Sequence, residues 1–422
     1  MKKIVLSILL SLPFLGQAGG FQLNVQGVRA IGMGGAFTGI AYGPASLFFN
    51  PGGMTSIMGH QFNFGVNYIS PLVALQTDVN DNIRQTTGYA TPFHFYYTGQ
   101  ITNKLSVGLG INNQFGSSSS FDDDWQGKFI IQNISLRTFM FQPTAAYKLH
   151  EKLSVGAGFV YTSGSFSTEK AVPLGSATID YGKARLEGKG VGYGFNLGIH
   201  SNTIDTDKMK LSLGFDYRSG TKLNLPEGTA TFTDIPISLQ STFPATTGFS
   251  SQLKLPSVIS FGLSYTYNLT EDFSAMFAYD YNYTTWSSYD SLNIDFVNEN
   301  TPDSKNEKNW QNVGAHRFGL EFSYQQKYAL RVGGYYDSTP ILDGYVSPEL
   351  PDADQFVLTM GLGAKIGNIL EFDVAWIHQD AEREASLDAA NFSAKYRRVA
   401  DIISFSTTIK LGQEKKAKEP SI

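Results

Sequence analysis

The side chains that usually make and break bonds are sparse in this chain and poorly arranged for it. Asp122, Asp123 and Asp124 form a carboxylate run with the chemistry to hold a divalent ion, although three adjacent acids in a loop are more often a solvated face. The six histidines, His60, His94, His150, His200, His316 and His378, are scattered and show no metal-ligand spacing. There is no cysteine, which removes thiolate nucleophiles, zinc–thiolate centres and disulfides together. No serine stands in a nucleophile-elbow context, so a Ser–His hydrolase has no motif behind it. "GMGGAF" and "GVGYG" have the glycine spacing of a dinucleotide fingerprint but lack its strand-to-helix setting. These readings point away from an enzyme, a resident metal and any cofactor. What the chain does concentrate is apolar surface in stretches that read as loops. Residues 220–256 carry Leu223, Leu225, Phe232, Ile235, Leu239, Phe243 and Phe249, and residues 116–133 carry Phe121, Trp125, Phe129, Ile130 and Ile131. Loops gather such side chains when they fold over one another or catch a hydrophobic molecule.

The elements that must position these loops are read from composition and period. Charged residues are 16% of the chain, below the quarter or so of ordinary soluble domains. There are 31 Phe, 22 Tyr and 43 Gly. Apolar residues recur at every second position, as in Phe62, Phe64, Val66 and Tyr68 set against Asn63, Gly65 and Asn67. Leu105, Val107, Leu109 and Ile111 likewise alternate with Ser106, Gly108, Gly110 and Asn112. Strict alternation over eight or more residues means a strand with one apolar face. The pattern predicts about fourteen strands, near 60–70, 92–101, 105–115, 134–149, 153–166, 178–200, 209–219, 257–268, 273–286, 313–324, 329–338, 355–366, 369–379 and 402–411. Tight connections such as "TNK", "HE", "QK" and "GN" alternate with long ones at 71–91, 116–133, 167–177, 220–256, 287–312, 339–354 and 380–401. Short turns on one side and long loops on the other are the pattern of a transmembrane β-barrel. In lipid only a closed ring satisfies every strand's backbone groups. A soluble sandwich or propeller would carry more charge outside.

Two segments lie outside that pattern. The chain opens "MKKIVLSILLSLPFLGQA", a positive start followed by an apolar run too short to span a bilayer, which reads as a signal peptide over 1–18. Export is then expected, and the net charge of −5 gives no argument for nucleic acid. Residues 19–59 do not alternate and are small, glycine-rich and apolar. They are expected to fold inside the lumen as a plug. Within them "SLFFNPGGM", residues 46–54, places a chain-reversal signal directly after two phenylalanines. A turn buried there leaves backbone groups for Asn50 to bond.

"GFQLNVQGVRAIGMGGAFTGIAYGPASLFFNPGGM" resembles the N-terminal hatch of the FadL-type outer-membrane long-chain fatty acid transporters, and "FNPGGM" is similar to that family's Asn-Pro-Ala motif. Further similar stretches include "FQPTAAYKLHEKLSVGAGFVY", "LPSVISFGLSYTYN" and "LRVGGYYDSTPILDGYVSPELPDADQF". The resemblance implies an all-β, fourteen-stranded antiparallel barrel over 60–411, closed by a hatch over 19–59. It implies passive uptake of long-chain fatty acids or similar hydrophobic molecules across the outer membrane of a Gram-negative bacterium. Importers of aromatic hydrocarbons, a general porin and an adhesive barrel are the other readings. Asn50, Pro51 and Gly52 become hatch or gating residues, and Phe48, Phe49, Trp125, Phe129 and Ile130 ligand contacts. Release is expected sideways through the third strand, with Gly108 and Gly110 its weak points or else room for hatch side chains. The partners implied are the hydrophobic ligand, the lipid bilayer and the outer-membrane assembly machinery, with the protein acting as a monomer. Two departures stand out. Gly52 replaces the motif's Ala, which suggests looser hatch packing, and a charged tail, 412–422, follows the last strand.

Overall fold

The computed structural model describes residues 19–80, 82–175 and 181–412. The signal-peptide reading and the tail beyond Gly412 lie outside those residues. Fourteen antiparallel strands close into a ring. They are β1 (His60–Gln76), β2 (Phe93–Gln100), β3 (Leu105–Asn112), β4 (Asn133–His150), β5 (Leu153–Pro173), β6 (Tyr181–Asp205) and β7 (Met209–Arg218), then β8 (Val258–Asn268), β9 (Phe273–Thr284), β10 (Val313–Tyr324), β11 (Tyr328–Asp337), β12 (Gln355–Ile366), β13 (Leu370–Leu387) and β14 (Phe392–Leu411). Each pairs with the next, and β1 pairs with β14 from His60↔Leu411 to Gln76↔Lys395, which removes both sheet edges.

Alternation sorts the two faces in the sense opposite to a soluble protein. Phe64, Tyr68, Phe159, Phe195, Leu362 and Phe405 point outward and are exposed. Asn63, Asn67, Gln142, Asn196, Asp280 and Arg331 point into the lumen and are buried. Several strands run past the expected limits at the long-loop end. β1 continues to Gln76, β5 to Pro173 and β13 to Leu387, and β14 begins at Phe392. The stretch 220–256, read as a loop, is a hairpin of Thr221–Thr233 and Thr246–Leu255. Its alternation is inverted relative to the membrane band: Leu223 and Leu225 are buried while Lys222 and Asn224 are exposed. Above the lipid, the outer face meets water and the inner face packs on other loops.

Residues 19–59 fill the lumen. α1 (Val28–Gly32) and α2 (Ser46–Phe49) are each a single turn or so, and a 3₁₀ segment, Pro51–Ser56, follows α2 directly. So short a segment cannot bury its own backbone groups, so the wall satisfies them. Asp280 accepts from the amides of Phe37 and Thr38 at 2.8 Å each. Ser264 donates to the Gly39 carbonyl at 2.9 Å, and Asn67 to that of Val25 at 3.2 Å.

The barrel assignment makes a direct prediction. Leu109 faces outward with 36% exposure on β3. Leu109→Arg is expected to cost about 2–4 kcal/mol if it lies near the bilayer midplane, read by reversible unfolding in lipid vesicles, whereas Leu109→Ile should stay within about 1.5 kcal/mol. Equal stabilities for the two variants would show that this face does not meet lipid.

Candidate functional site

The turn at Asn50 is the best-anchored part of the hatch. Its Oδ1 accepts from the Gly52 amide at 3.1 Å and caps the 3₁₀ segment. Its Nδ2 donates to the Thr38 carbonyl and to the Ile199 carbonyl of β6, both at 2.9 Å. One fully buried side chain thus ties the turn to itself, to an earlier hatch segment and to the wall. The carbonyls ending α2 are capped from the wall as well. Gln142 donates to the Leu47 carbonyl at 3.1 Å and Arg218 to that of Phe48 at 2.9 Å, with the guanidinium 4.4 Å from the Phe48 ring centre.

Around Gly52 the packing is tighter than the motif departure suggested. A β-carbon added there would lie 2.9 Å from the His200 amide nitrogen, 3.0 Å from the Ser154 carbonyl oxygen and 3.1 Å from that of Gly198. Backbone atoms cannot swing aside, so the Gly replaces Ala where hatch and wall main chains touch. Gly34 and Gly39 make similar approaches, to Phe318 and Gly334 and to Leu263 respectively.

Lower in the lumen, the hatch is held by charge. Arg29 pairs with Glu321 at 2.6 Å and Glu371 at 3.5 Å, and its guanidinium stacks 3.5 Å from the Tyr42 ring centre. Arg331 pairs with Glu321 and Asp373, and Lys410 with Glu371, all at 2.6 Å. Arg29, Arg331 and Lys410 are thereby balanced by Glu321, Glu371 and Asp373.

The wall is interrupted next to the hatch's first residues. β3 pairs continuously through Gly108 and Gly110, to Thr98 and Tyr96 on one side and Thr144 and Gln142 on the other. Those glycines are therefore not where the strand gives way. A β-carbon on Gly108 or Gly110 would lie 2.5 Å or 2.8 Å from Leu47, so the pair makes room for the hatch. The ladder breaks just beyond, at residues 113–115. Pairing with β4 resumes at Gly116↔Arg137, after Asn112↔Met140, with one extra residue on the β3 side. Towards β2 the ladder stops at His94↔Asn112, and among the described residues the hatch takes the neighbouring strand's place. Leu23 donates to the Gln114 carbonyl at 2.8 Å, Gly116 to the Phe21 carbonyl at 3.0 Å, and Gln22 bridges Phe115.

Phe21 belongs to two environments at once. Its ring lies 6.0 Å from that of Phe115 at the break, and 4.8, 5.5 and 5.7 Å from Trp286, Tyr289 and Trp310. Phe21, Tyr289 and Trp310 line an apolar cavity under the long loops, with Leu136, Phe166, Leu253 and Ile341 in its walls. Among the described residues its only charged lining side chains are Lys308 and Glu349, paired at 2.6 Å. Burial works against the Lys308 ammonium, but Glu349 outweighs it and holds the lysine above its ordinary pKa. A second, more polar cavity lies on the other side of the hatch strand, lined by Gln22, Gln114, Arg218 and Arg317 together with Phe48 and Phe49.

The other expected contacts sit elsewhere. Trp125 stacks on Phe121 at 4.1 Å, and its Nε1 donates to the Ile131 carbonyl at 2.6 Å. Phe129 is 44% exposed against Tyr181, and Ile130 is only partly buried. They build a lid and line neither cavity. Lys183 pairs with Asp123, and the Tyr181 hydroxyl and Lys128 bond Asp124 and hold its carboxyl below its usual range. Sequence reasoning missed Phe21, Tyr289, Trp310 and Lys308. The available signal was that Trp286 and Trp310, two of only four tryptophans, sit in one long connection.

One family model, "Outer membrane protein transport protein (OMPP1/FadL/TodX)", matches residues 10–410. The chain belongs to this family. A long-chain fatty acid transport protein of Salmonella typhi is 26% identical over 376 residues, covering 81% of this chain and 83% of that protein. Outer membrane protein P1 of Haemophilus influenzae is 22% identical over 90% of each chain. Among solved structures, a FadL homologue from Pseudomonas aeruginosa superimposes with a TM-score of 0.78 at 18% identity, over 93% of this chain and all of that one. The toluene transporter TbuX of Ralstonia pickettii gives 0.69 at 18%, over 92% and 100%. At such identities these structures speak for the fold.

The anchoring of the hatch is testable. Asn50→Ala removes a buried bond to the Gly52 amide, a buried bond to the Thr38 carbonyl and a part-buried one to that of Ile199, at about 1–3 kcal/mol for each buried group left unsatisfied. Gly52→Ala must displace the hatch from β5 and β6. In both variants hydrogen exchange of the hatch amides around 37–57 should accelerate by tenfold or more, on the order of 1.4 kcal/mol of local stability, while β5 to β13 stay protected. Unchanged hatch protection in both would remove Asn50 and Gly52 as its anchors.

Proposed function

We propose that this protein is a passive outer-membrane channel for the uptake of long-chain fatty acids or similar hydrophobic molecules. Its cargo binds in the apolar cavity under the loops and leaves sideways through the interrupted wall. The observation that carries this reading is the position of Phe21 to Leu23. Phe21 lines the apolar cavity, and the segment that carries it is the missing neighbour of the broken third strand. A ligand that displaces Phe21 from its aromatic neighbours withdraws the backbone that closes the gap.

Energetics favour that exit. Moving an acyl chain from an apolar site into water costs about 0.8 kcal/mol per CH₂. For about fifteen such groups that is on the order of 12 kcal/mol, which makes release into the periplasm slow. A route that ends in the membrane avoids nearly all of it. An aqueous porin is disfavoured because the hatch fills the lumen. Aromatic hydrocarbons are the nearest alternative cargo, since the cavity is lined by Phe21, Tyr289 and Trp310. The barrel acts as a monomer placed by the outer-membrane assembly machinery.

Gln22 and Phe115 supply the test. The bonds flanking them make this a non-hydrogen-bonded antiparallel pair, whose Cα atoms lie about 4.5 Å apart, within reach of a disulfide. The chain has no cysteine to interfere. In the Gln22→Cys/Phe115→Cys protein, oxidation should abolish uptake of a fluorescent fatty acid by cells, and reduction should restore it. Full uptake by the quantitatively oxidised protein would exclude this exit. Swelling of proteoliposomes in small sugars would instead identify a porin.

A further inference from the structure

We propose that the apolar cavity selects neutral hydrophobic molecules over ionised carboxylates, and that Glu349 imposes this selection. The inference rests on that cavity being the ligand site. An ionised headgroup drawn into an apolar enclosure loses its hydration and needs a cation in return. Among the described residues the one cation lining the cavity is Lys308, whose side chain is 8% exposed. It is already bonded to Glu349 at 2.6 Å, and that carboxylate lines the same cavity.

The pair therefore offers an incoming anion no net charge. A ligand carboxylate that approaches Lys308 meets Glu349 beside it, and two carboxylates at one ammonium repel each other. A hydroxyl, an ester or a protonated acid meets no such penalty, and a hydroxyl can donate to the free oxygen of Glu349. A hydrocarbon with no headgroup is equally compatible, because the other walls are Phe21, Leu136, Phe166, Leu253, Tyr289 and Trp310. Glu349 also serves buried Lys308: without it the ammonium would stand unpaired in an apolar wall.

The test compares two brominated probes of equal chain length, a long-chain alcohol and the corresponding acid, by quenching of tryptophan fluorescence in the detergent-solubilised protein at a pH where the acid is ionised. Trp286 and Trp310, packed on Phe21, report occupancy. The wild-type protein should bind the alcohol about tenfold more tightly than the acid. Glu349→Gln should frees Lys308 for the ligand and raise the acid's relative affinity by about tenfold. Lys308→Met/Glu349→Gln, which removes both charges, should keep the preference for the alcohol and controls for loss of the buried pair. A wild-type preference for the acid, or an alcohol-to-acid ratio unmoved in Glu349→Gln, would overturn the proposal. Quenching by neither probe in the wild-type protein would instead overturn the assignment of this cavity as the ligand site.

Discussion

A ring of fourteen strands encloses more space than its own inward side chains can fill. Barrels of about eight strands close on themselves, and those of roughly sixteen to eighteen keep an aqueous channel. Here the hole is stopped by some forty residues of chain too short to form a domain, and most features of the interior follow from that. The hatch has no sheet or long helix to satisfy its amides and carbonyls. The wall must do so, which is why the lumen is lined by Asn, Gln, Ser, Asp and Arg that reach hatch backbone. Main chain must also lie directly on main chain, which accounts for glycine at positions 34, 39 and 52.

The hatch is unevenly held. From Arg29 onward it is fixed by ion pairs, by the Asn50 bonds and by close backbone contact. Its first residues are held differently, by main-chain bonds to an interrupted strand, by the packing of Phe21 and by neutral or singly charged hydrogen bonds, from Gly20 to Asp352, from Arg317 to Asn24 and from Asn67 to Val25. Buried ion pairs are weak evidence of stability, but breaking one strands a charge, and a plug bound through them resists partial withdrawal. Removal of the whole hatch is therefore a poor route for cargo, while movement of Phe21 to Leu23 leaves the anchored part in place. A closed lumen and the proposed gate at its side are compatible because they use different stretches of the same segment.

The strands were legible because lipid outside and a polar lumen inside impose the same alternation on every one of them. Legibility ended where lipid ends. The stretch with Leu223 and Leu225 alternates as cleanly as any barrel strand, but with the apolar face inward, and it reads as a loop with too many hydrophobic residues. The hatch turn was visible in Asn50 and Pro51, since a buried Asn-Pro pair needs partners. The partners themselves, Thr38 and Ile199, were not visible, because they come from separate parts of the chain. Gly108 and Gly110 were ambiguous for a physical reason: glycine allows a bend and also a close approach, and here Leu47 takes the space. The interruption at 113–115 has no marker in residue type. The cavity was equally hidden, since Phe21, Tyr289, Lys308 and Glu349 meet only once the loops have folded.

The clamp around Glu371 joins three parts of the chain that are made at very different times. Arg29 and Tyr42 come from the hatch, at the start of the chain. Lys410 is the second-to-last residue of β14, the strand that closes the ring against β1. The Arg29 pairs to Glu321 and Glu371 need no part of β14, so the plug can sit on the wall before the ring closes. The last strand then adds Lys410, which bonds Glu371 at 2.6 Å and the Tyr42 hydroxyl at 3.3 Å. Closing the ring therefore also fastens the plug at the seam.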